Sequence, residues 1–513
     1  MWRGSLESGG EMSLDGINHR GVSAFKHFLS GKAISLVLTL GYFFLLTRYL
    51  TVGEYSDYVT AIALAEILIG ISTLGLDWLA AIKIPQTIAT DEIGQATLIR
   101  GLLSARITTL TGLFLIAAMF VLSAVNFIGG MRVAMLGLCY ALVEGLHRYV
   151  ATALFDSALQ QRTTKRMWVG KASLQFLAVA GLLAAAPSLL TAETAIVVEA
   201  SGSLLGMLIA VPALRTILRP VSIKVSWPLL REGVKTFTTH WSLISASYTG
   251  SLLSWVGSIS TFVVVARVLG GEAAAALVGF CATLTNQVKR YLPTEMFLGV
   301  ARALIYARFD SHKSAALLEK DLHLYFGIGM AAVMLSTLLF ILLGEPIIEV
   351  LSNGKFPDAL PLLLLSVGGL AGMVGRRITE TAANAVAATS IWSVATTRSL
   401  IAVPIACAAF YLADQPLALV LGWVAVDLLM TIALYFQLAR YRAMRAIPAA
   451  LVLRTLAFLP VFALGYWTVR ETHPLLLQVV VSLAFFGLTC VLLDKMGFVN
   501  LAAARQLFKA AKT

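Results

Sequence analysis

Charged residues fall in clumps along this chain, and between the clumps run apolar stretches of roughly twenty residues, the length that spans the hydrocarbon of a bilayer. A backbone in lipid must satisfy its own N–H and C=O groups, which leaves only helices or a closed barrel. A barrel would show alternating segments of about ten residues instead. Of 513 residues, 58% are hydrophobic and 13% charged, about half the charged share of a soluble domain. The fold class expected is an all-α polytopic membrane protein.

Length and flanking polarity place about fourteen spans near 32–50, 58–80, 103–125, 131–155, 168–187, 193–214, 242–266, 273–296, 322–344, 359–383, 391–412, 416–438, 449–469 and 474–494. The connecting loops alternate in charge. One set holds Arg162, Lys165 and Arg166, then Arg215 to Lys235, then Arg302 to Lys320, then Arg440, Arg442 and Arg445. The other set is short and weakly acidic, with Glu54, Asp57, Glu193, Glu345, Glu349, Asp358 and Asp414. Lys and Arg stay cytoplasmic, so both termini are expected there, which requires an even number of spans. The same bias explains most of the +12 net charge without a nucleic-acid partner. The first thirty residues lack the apolar core of a cleavable signal, so the first span is expected to target the chain to the membrane. The tail 495–513 reads as a basic amphipathic helix on the inner leaflet.

Cys139, Cys281, Cys407 and Cys490 each lie alone in a different span, and no Cys/His spacing suggests a metal site or a disulfide framework. No nucleophile triad, P-loop or nucleotide domain is present, so no catalytic residue, cofactor or ATP-driven pump is expected.

The chain repeats itself. "TRYLTVGEYSDY" (47–58) compares with "ARVLGGEAAAAL" (266–277), pairing Arg48 with Arg267 and Glu54 with Glu272. "GLHRYVATA" (145–153) compares with "VGRRITETA" (374–382), pairing Arg148 with Arg377, and "KASL" (171–174) with "TRSL" (397–400), pairing Lys171 with Arg398. The matches keep their order, and six spans separate the copies, so the repeat is parallel, about an axis along the membrane normal. The organisation expected is a cytoplasmic lead 1–31, a six-helix bundle 32–214, a basic linker 215–237, a second six-helix bundle 238–438, an extra helix pair 439–494 and the tail 495–513. Two bundles facing one cavity suit alternating access.

The basic lead, a first helix ending "LLTRYLTVGEYSDY", then "LGLDWL", two halves and about fourteen spans resemble the Wzx-type polysaccharide flippases of the multidrug/oligosaccharidyl-lipid/polysaccharide exporter superfamily. That resemblance implies movement of an undecaprenyl-diphosphate-linked oligosaccharide across a bacterial inner membrane, with polysaccharide polymerase and export proteins as partners beside the membrane lipids. Two departures stand out. The chain has Ser56 where the family often has Gly, and the seventh span lacks the acidic residue common there, which weakens any ion coupling carried over to that helix.

Ionisable residues inside spans face a bundle interior or cavity and pair with one another. Glu144, His147 and Arg148, at i, i+3 and i+4, share one helix face. The plainer reading is that Glu144 and Arg148 neutralise each other and lock packing, or that Arg148 snorkels to the cytoplasmic headgroups. The sharper reading makes Arg148, Arg377, Arg376, Lys171, Arg398, Lys289 and Arg290 the cationic wall of a cavity that receives a diphosphate, whose oxygens a guanidinium fork fits. Glu144 and His147 are then charge partners. Asp427, near mid-span with no cation within a turn of its own helix, is a candidate for proton or sodium coupling, with Glu66 and Asp77 behind it and Glu199 weaker still. The competing functions are a multidrug or cation antiporter of the same superfamily, a lipid II flippase, a membrane enzyme of the same pathway and a structural scaffold. An enzyme needs catalytic groups gathered on an external loop, and these loops are short.

Overall fold

Helix ends are set where orphan backbone groups find caps or where glycine allows a turn, and this chain shows both. A computed structural model describes residues 14–77, 92–123, 130–158, 160–220, 241–296, 314–386, 389–442, 444–470 and 475–498, with isolated positions between them. Residues 1–13 of the lead, the greater part of linker 215–237 and the tail after Phe498 therefore lie outside the described residues. Every regular element among the described residues is helical.

The first half comprises α1 (Leu14–Tyr49), α2 (Val52–Ile71), α3 (Glu92–Ser123), α4 (Met131–Arg148), α5 (Gln161–Ala185) and α6 (Ala192–Leu218). The second comprises α7 (Trp241–Val256), α8 (Ile259–Tyr291), the short α9 (Pro293–Met296), α10 (Ala315–Ser352), α11 (Ala359–Ala385), α12 (Thr389–Ser399), α13 (Ala402–Ala413) and α14 (Pro416–Arg442). Then follow α15 (Ala449–Leu456), α16 (Leu459–Arg470) and α17 (Leu475–Lys495). Nine described helices are individually long and apolar enough to cross a membrane. With the broken ones joined, the described helices group into fourteen segments, six, six and two. Side chains such as Met119, Tyr411 and Leu412 are widely exposed, as lipid-facing helices require and soluble surfaces avoid.

The breaks differ from the expected spans. Thr51 and Glu54 form a capping box, so α2 starts at Val52 and not at residue 58. It ends at Ile71 and not at residue 80, in a turn that holds Leu74 (φ 45°) and Gly75 (φ 77°). The seventh span is broken between Val256 and Ile259, where Ser258 caps the next leg. That leg continues into the eighth through a reversal at Gly271 (φ 73°), inside α8. The eleventh and thirteenth spans are each two helices, α12 with α13 and α15 with α16. After Arg148, α4 widens into a π-helical segment, Tyr149–Phe155.

The parallel repeat appears in the packing. In the first half α1 packs on α5, α2 on α4, α3 on α4, α4 on α6 and α5 on α6; in the second α7 packs on α12, α8 on α11, α10 on α11, α11 on α14, and α12 and α13 on α14. The halves meet chiefly where α2 runs along α8. The approach is close: a Cβ at Gly279 would stand 2.5 Å from Val59 Cγ2. The last pair leans on α10.

Candidate functional site

Between the halves, α1, α2, α4, α5 and α6 on one side and α8 on the other enclose a cavity of about 1510 Å³, its open mouth included. Its charged lining is Glu66, Arg148, Lys171, Glu199, Arg290 and Glu295.

The first-half charges centre on Glu144, which is fully buried. Its Oε1 accepts from Arg148 Nε at 2.6 Å, and its Oε2 accepts from Lys171 Nζ and Ser203 Oγ, each at 2.6 Å. His147 Nδ1 stands 3.3 Å from the same Oε2, and its ring meets Trp168 edge-on at 4.9 Å. Arg148 then reaches across to α2. Its Nη1 donates to Glu66 Oε2 at 2.5 Å, and its Nη2 donates to Glu66 Oε1. Four helices, α2, α4, α5 and α6, are thereby tied through the Arg148 guanidinium and the Glu144 carboxylate, and Arg148 meets Glu66 with the bidentate geometry that suits Arg. Glu199 lies beside this network. Tyr58 Oη donates to its Oε1 at 2.9 Å and Gln175 Nε2 donates to its Oε2, while Lys171 Nζ stays 4.0 Å away.

The second half has its own network. Arg377 Nε donates to Glu295 Oε1 at 2.5 Å, and its Nη1 to Glu380 Oε2 at 3.1 Å. Arg376 Nη1 donates to Asp427 Oδ1 at 2.6 Å, and Trp392 Nε1 to Glu380 Oε1 at 3.2 Å. Arg148 and Arg377 thus do equivalent work, each binding a glutamate 82 residues upstream. The acceptors are not equivalent positions. Glu295 stands as far past the matched Glu272 as Asp77 stands past Glu54, whereas Glu66 lies within α2.

At the end of the bundle where α1 terminates, the cavity is shut. Phe43 stacks on Phe280 at 5.8 Å, Phe280 meets Phe356 at 4.9 Å and Tyr55 meets Phe356 at 5.8 Å, an aromatic plug contributed by both halves. Two cations latch it. Lys355 Nζ donates to the carbonyl oxygens of Thr47, Arg48 and Leu50 at 3.0, 2.7 and 2.6 Å, capping the C-terminus of α1. Arg267 donates to Ser56 Oγ at 3.0 Å and to Asp57 Oδ1 at 2.9 Å on α2, and to Glu272 at 3.3 Å. Partial burial and nearby Arg48 push the Lys355 ammonium down from the usual lysine range, and Glu54 opposes that.

Of the residues singled out in the sequence, Arg148, Lys171, Arg290, Glu66 and Glu199 line the cavity, with Glu144 and His147 buried behind them. Arg376, Arg377, Lys289, Arg398, Asp427 and Asp77 are not among its lining residues. Three expectations change. Arg148 does not snorkel; it turns inward onto Glu66. Asp427 is not an unpaired carboxylate, because Arg376 from α11 holds it. The cavity is not a cationic wall either: three carboxylates and three cations line it. Arg398 is exposed and makes no ion pair among the described residues, unlike its sequence match Lys171.

Glu295, Glu380, Ser203, Tyr58 and Gln175 were not singled out. Glu380 could have been found from its i+3 spacing to Arg377; the others carry no local signal. Arg106 also escaped notice. It is fully buried, donates to the Ile69 carbonyl at 3.3 Å and lies 5.6 Å from the Tyr149 ring.

No family model and no curated protein matches the sequence. Solved structures do match the fold. The lipid II flippase MurJ in an inward closed conformation aligns with TM-score 0.61 at 14% identity, over 91% of this chain and 98% of that one. An inward-facing multidrug resistance MATE family transporter of the MOP superfamily aligns at 0.54 and 13% identity, over 79% and 93%. A MATE transporter of Vibrio cholerae aligns at 0.51 and 13%, over 82% and 99%. Identities this low speak for the arrangement of helices and not for the cargo. With two packed halves around a central cavity and an added helix pair, the chain shares the fold of these flippase and MATE transporter structures.

Proposed function

We propose that the chain is a transporter that flips an undecaprenyl-diphosphate-linked oligosaccharide across a bacterial inner membrane by alternating access, for surface or exopolysaccharide synthesis. The observation that carries this reading is Arg290. It is exposed on the cavity wall near the end of α8, and no carboxylate lies within ion-pair distance of it among the described residues. The other two lining cations bind Glu144, and Arg148 also binds Glu66. A free guanidinium beside Asn286 and Tyr291 is a fitting receptor for a diphosphate. A lipid-linked diphosphate keeps its tail in the bilayer and needs a polar path only for its phosphates and sugars. Both termini are cytoplasmic in this reading, and the plug at Phe43, Phe280 and Phe356 closes the outer side. Polymerase and export proteins would receive the product there, and a proton or sodium gradient would drive the cycle.

The test is leaflet exchange of a fluorescent undecaprenyl-diphosphate disaccharide in proteoliposomes, with and without an imposed gradient. Arg290→Ala is expected to slow exchange by about tenfold or more, the loss of one charge-assisted contact, with folding intact. Unchanged exchange in that variant removes the support. Glu66, Glu199 and Glu295 on the same wall favour a second reading, a multidrug or cation antiporter. Cation uptake without lipid exchange would establish it. A lipid II flippase shares the headgroup chemistry and is separated by offering lipid II as a competitor.

A further inference from the structure

The flippase reading leaves open what the cavity accepts beyond the diphosphate. Its charged lining divides into groups already neutralised in contact and groups that are not. Arg148 with Glu66, and Glu295 with Arg377, are closed pairs. Lys171 is spent on Glu144 at 2.6 Å. Arg290 on α8 has no carboxylate within ion-pair distance among the described residues, and Glu199 on α6 has only Lys171 Nζ at 4.0 Å, an ammonium already held by Glu144 at 2.6 Å.

Glu199 is held by neutral donors, the Tyr58 hydroxyl and the Gln175 amide, and its nearest cation stands 4.0 Å away. Its side chain is 12% exposed, so it is fixed in place yet open to the cavity. Trp168 and Tyr140 line the same wall, with Lys171 Nζ 5.9 Å from each ring. A preoriented carboxylate and amide beside aromatic rings suit a pyranose. The ring C–H face packs on the aromatic surface, and the hydroxyls donate to the carboxylate in charge-assisted bonds. The same carboxylate repels a sugar acid, since like charges brought together in a poorly solvated site weigh heavily against a wrong partner.

On the strength of the function proposed above, we infer that this wall binds the sugar next to the diphosphate, and that this sugar is uncharged. Glu199 is the residue that excludes a carboxylate-bearing sugar there. Recognition is therefore bipolar: Arg290 takes the phosphates, and Glu199, Gln175 and Trp168 take a neutral, hydroxyl-rich ring.

The experiment compares two probes in proteoliposomes of the full chain. One is an undecaprenyl-diphosphate disaccharide whose first sugar is a neutral hexose; the other differs only in having the corresponding hexuronic acid there. Wild type is expected to exchange the neutral lipid on the order of tenfold faster or more. Glu199→Gln is expected to shrink that ratio by admitting the acidic lipid. Equal exchange of both lipids by wild type, or a preference for the acidic one, overturns the inference and leaves the flippase standing. An unchanged ratio in a folded Glu199→Gln protein assigns the discrimination elsewhere and also overturns it. Exchange of neither lipid removes the flippase reading itself, and this inference with it.

Discussion

Replacing Arg148 by alanine tests whether the first-half network is structural. The substitution deletes both bonds to Glu66 and the 2.6 Å bond to Glu144. Glu144 keeps Lys171 and Ser203, so its loss is partial. Glu66 loses its only cation in contact among the described residues. Removing one partner of a fully buried pair costs about 3–5 kcal/mol. Glu66 is 18% exposed and faces the cavity, where water takes over part of the solvation. The cost expected for Arg148→Ala is therefore about 2–3 kcal/mol. Adding Glu66→Gln removes the stranded charge and is expected to recover at least 1 kcal/mol of that, roughly the coupling expected of touching charges. Denaturant unfolding in mixed micelles, followed by tryptophan fluorescence, measures all four corners of the cycle. A loss under about 0.5 kcal/mol for Arg148→Ala, the range of ordinary surface changes, or strict additivity of the two substitutions, would refute the reasoning.

Further outcomes are expected elsewhere. Lys355→Ala removes three charge-assisted bonds to the end of α1, and is expected to shift the plug toward opening by about tenfold. Impermeant maleimide labelling of an Ala63→Cys variant from the outer side reads that shift, and unchanged labelling counts against the latch. Gly279→Leu inserts a side chain where α2 already touches α8, and is expected to cost about 1–3 kcal/mol in the same unfolding assay. Arg398→Ala, at an exposed site with no ion pair among the described residues, is expected to change stability by under about 0.5 kcal/mol and to leave lipid exchange unaltered. Asp427→Asn is expected to be milder than Arg376→Ala, because Arg376 also lies 3.4 Å from Glu380, whereas Asp427 has no other cation in contact among the described residues.

The extent to which the site was legible in the sequence follows the range of each interaction. The Glu144–Arg148 contact was readable because i and i+4 meet on any helix, and the structure shows it at 2.6 Å. The match of Arg148 with Arg377 was readable as a repeat, and both make the same kind of bridge. The identity of that bridge was not: Glu66 and Glu295 lie 82 residues away in each case, and nothing in a linear pattern says which helix face meets which. Asp427 misled for the same reason. Its own helix offers no cation, and Arg376 arrives from 51 residues away. Glu199 was visible as a charge within a span, but its neutral donors Tyr58 and Gln175 come from two other helices.

The sequence by itself determined that the chain crosses lipid as helices, how many times, and that its halves repeat. These follow from hydrophobic length and from the need of each segment to satisfy its own backbone, both local properties. The structure, and not span length, located the helix breaks after Ile71, Val256 and Ser399, because hydrophobic length marks a crossing without marking a turn inside it. It alone decided that Arg148 is neutralised while Arg290 has no carboxylate in contact among the described residues, and so turned an expected cationic cavity into a balanced one. A charge in a membrane helix announces only that it needs a partner. Which group answers depends on how each helix is rotated about its axis, and that is set by the sum of all its contacts.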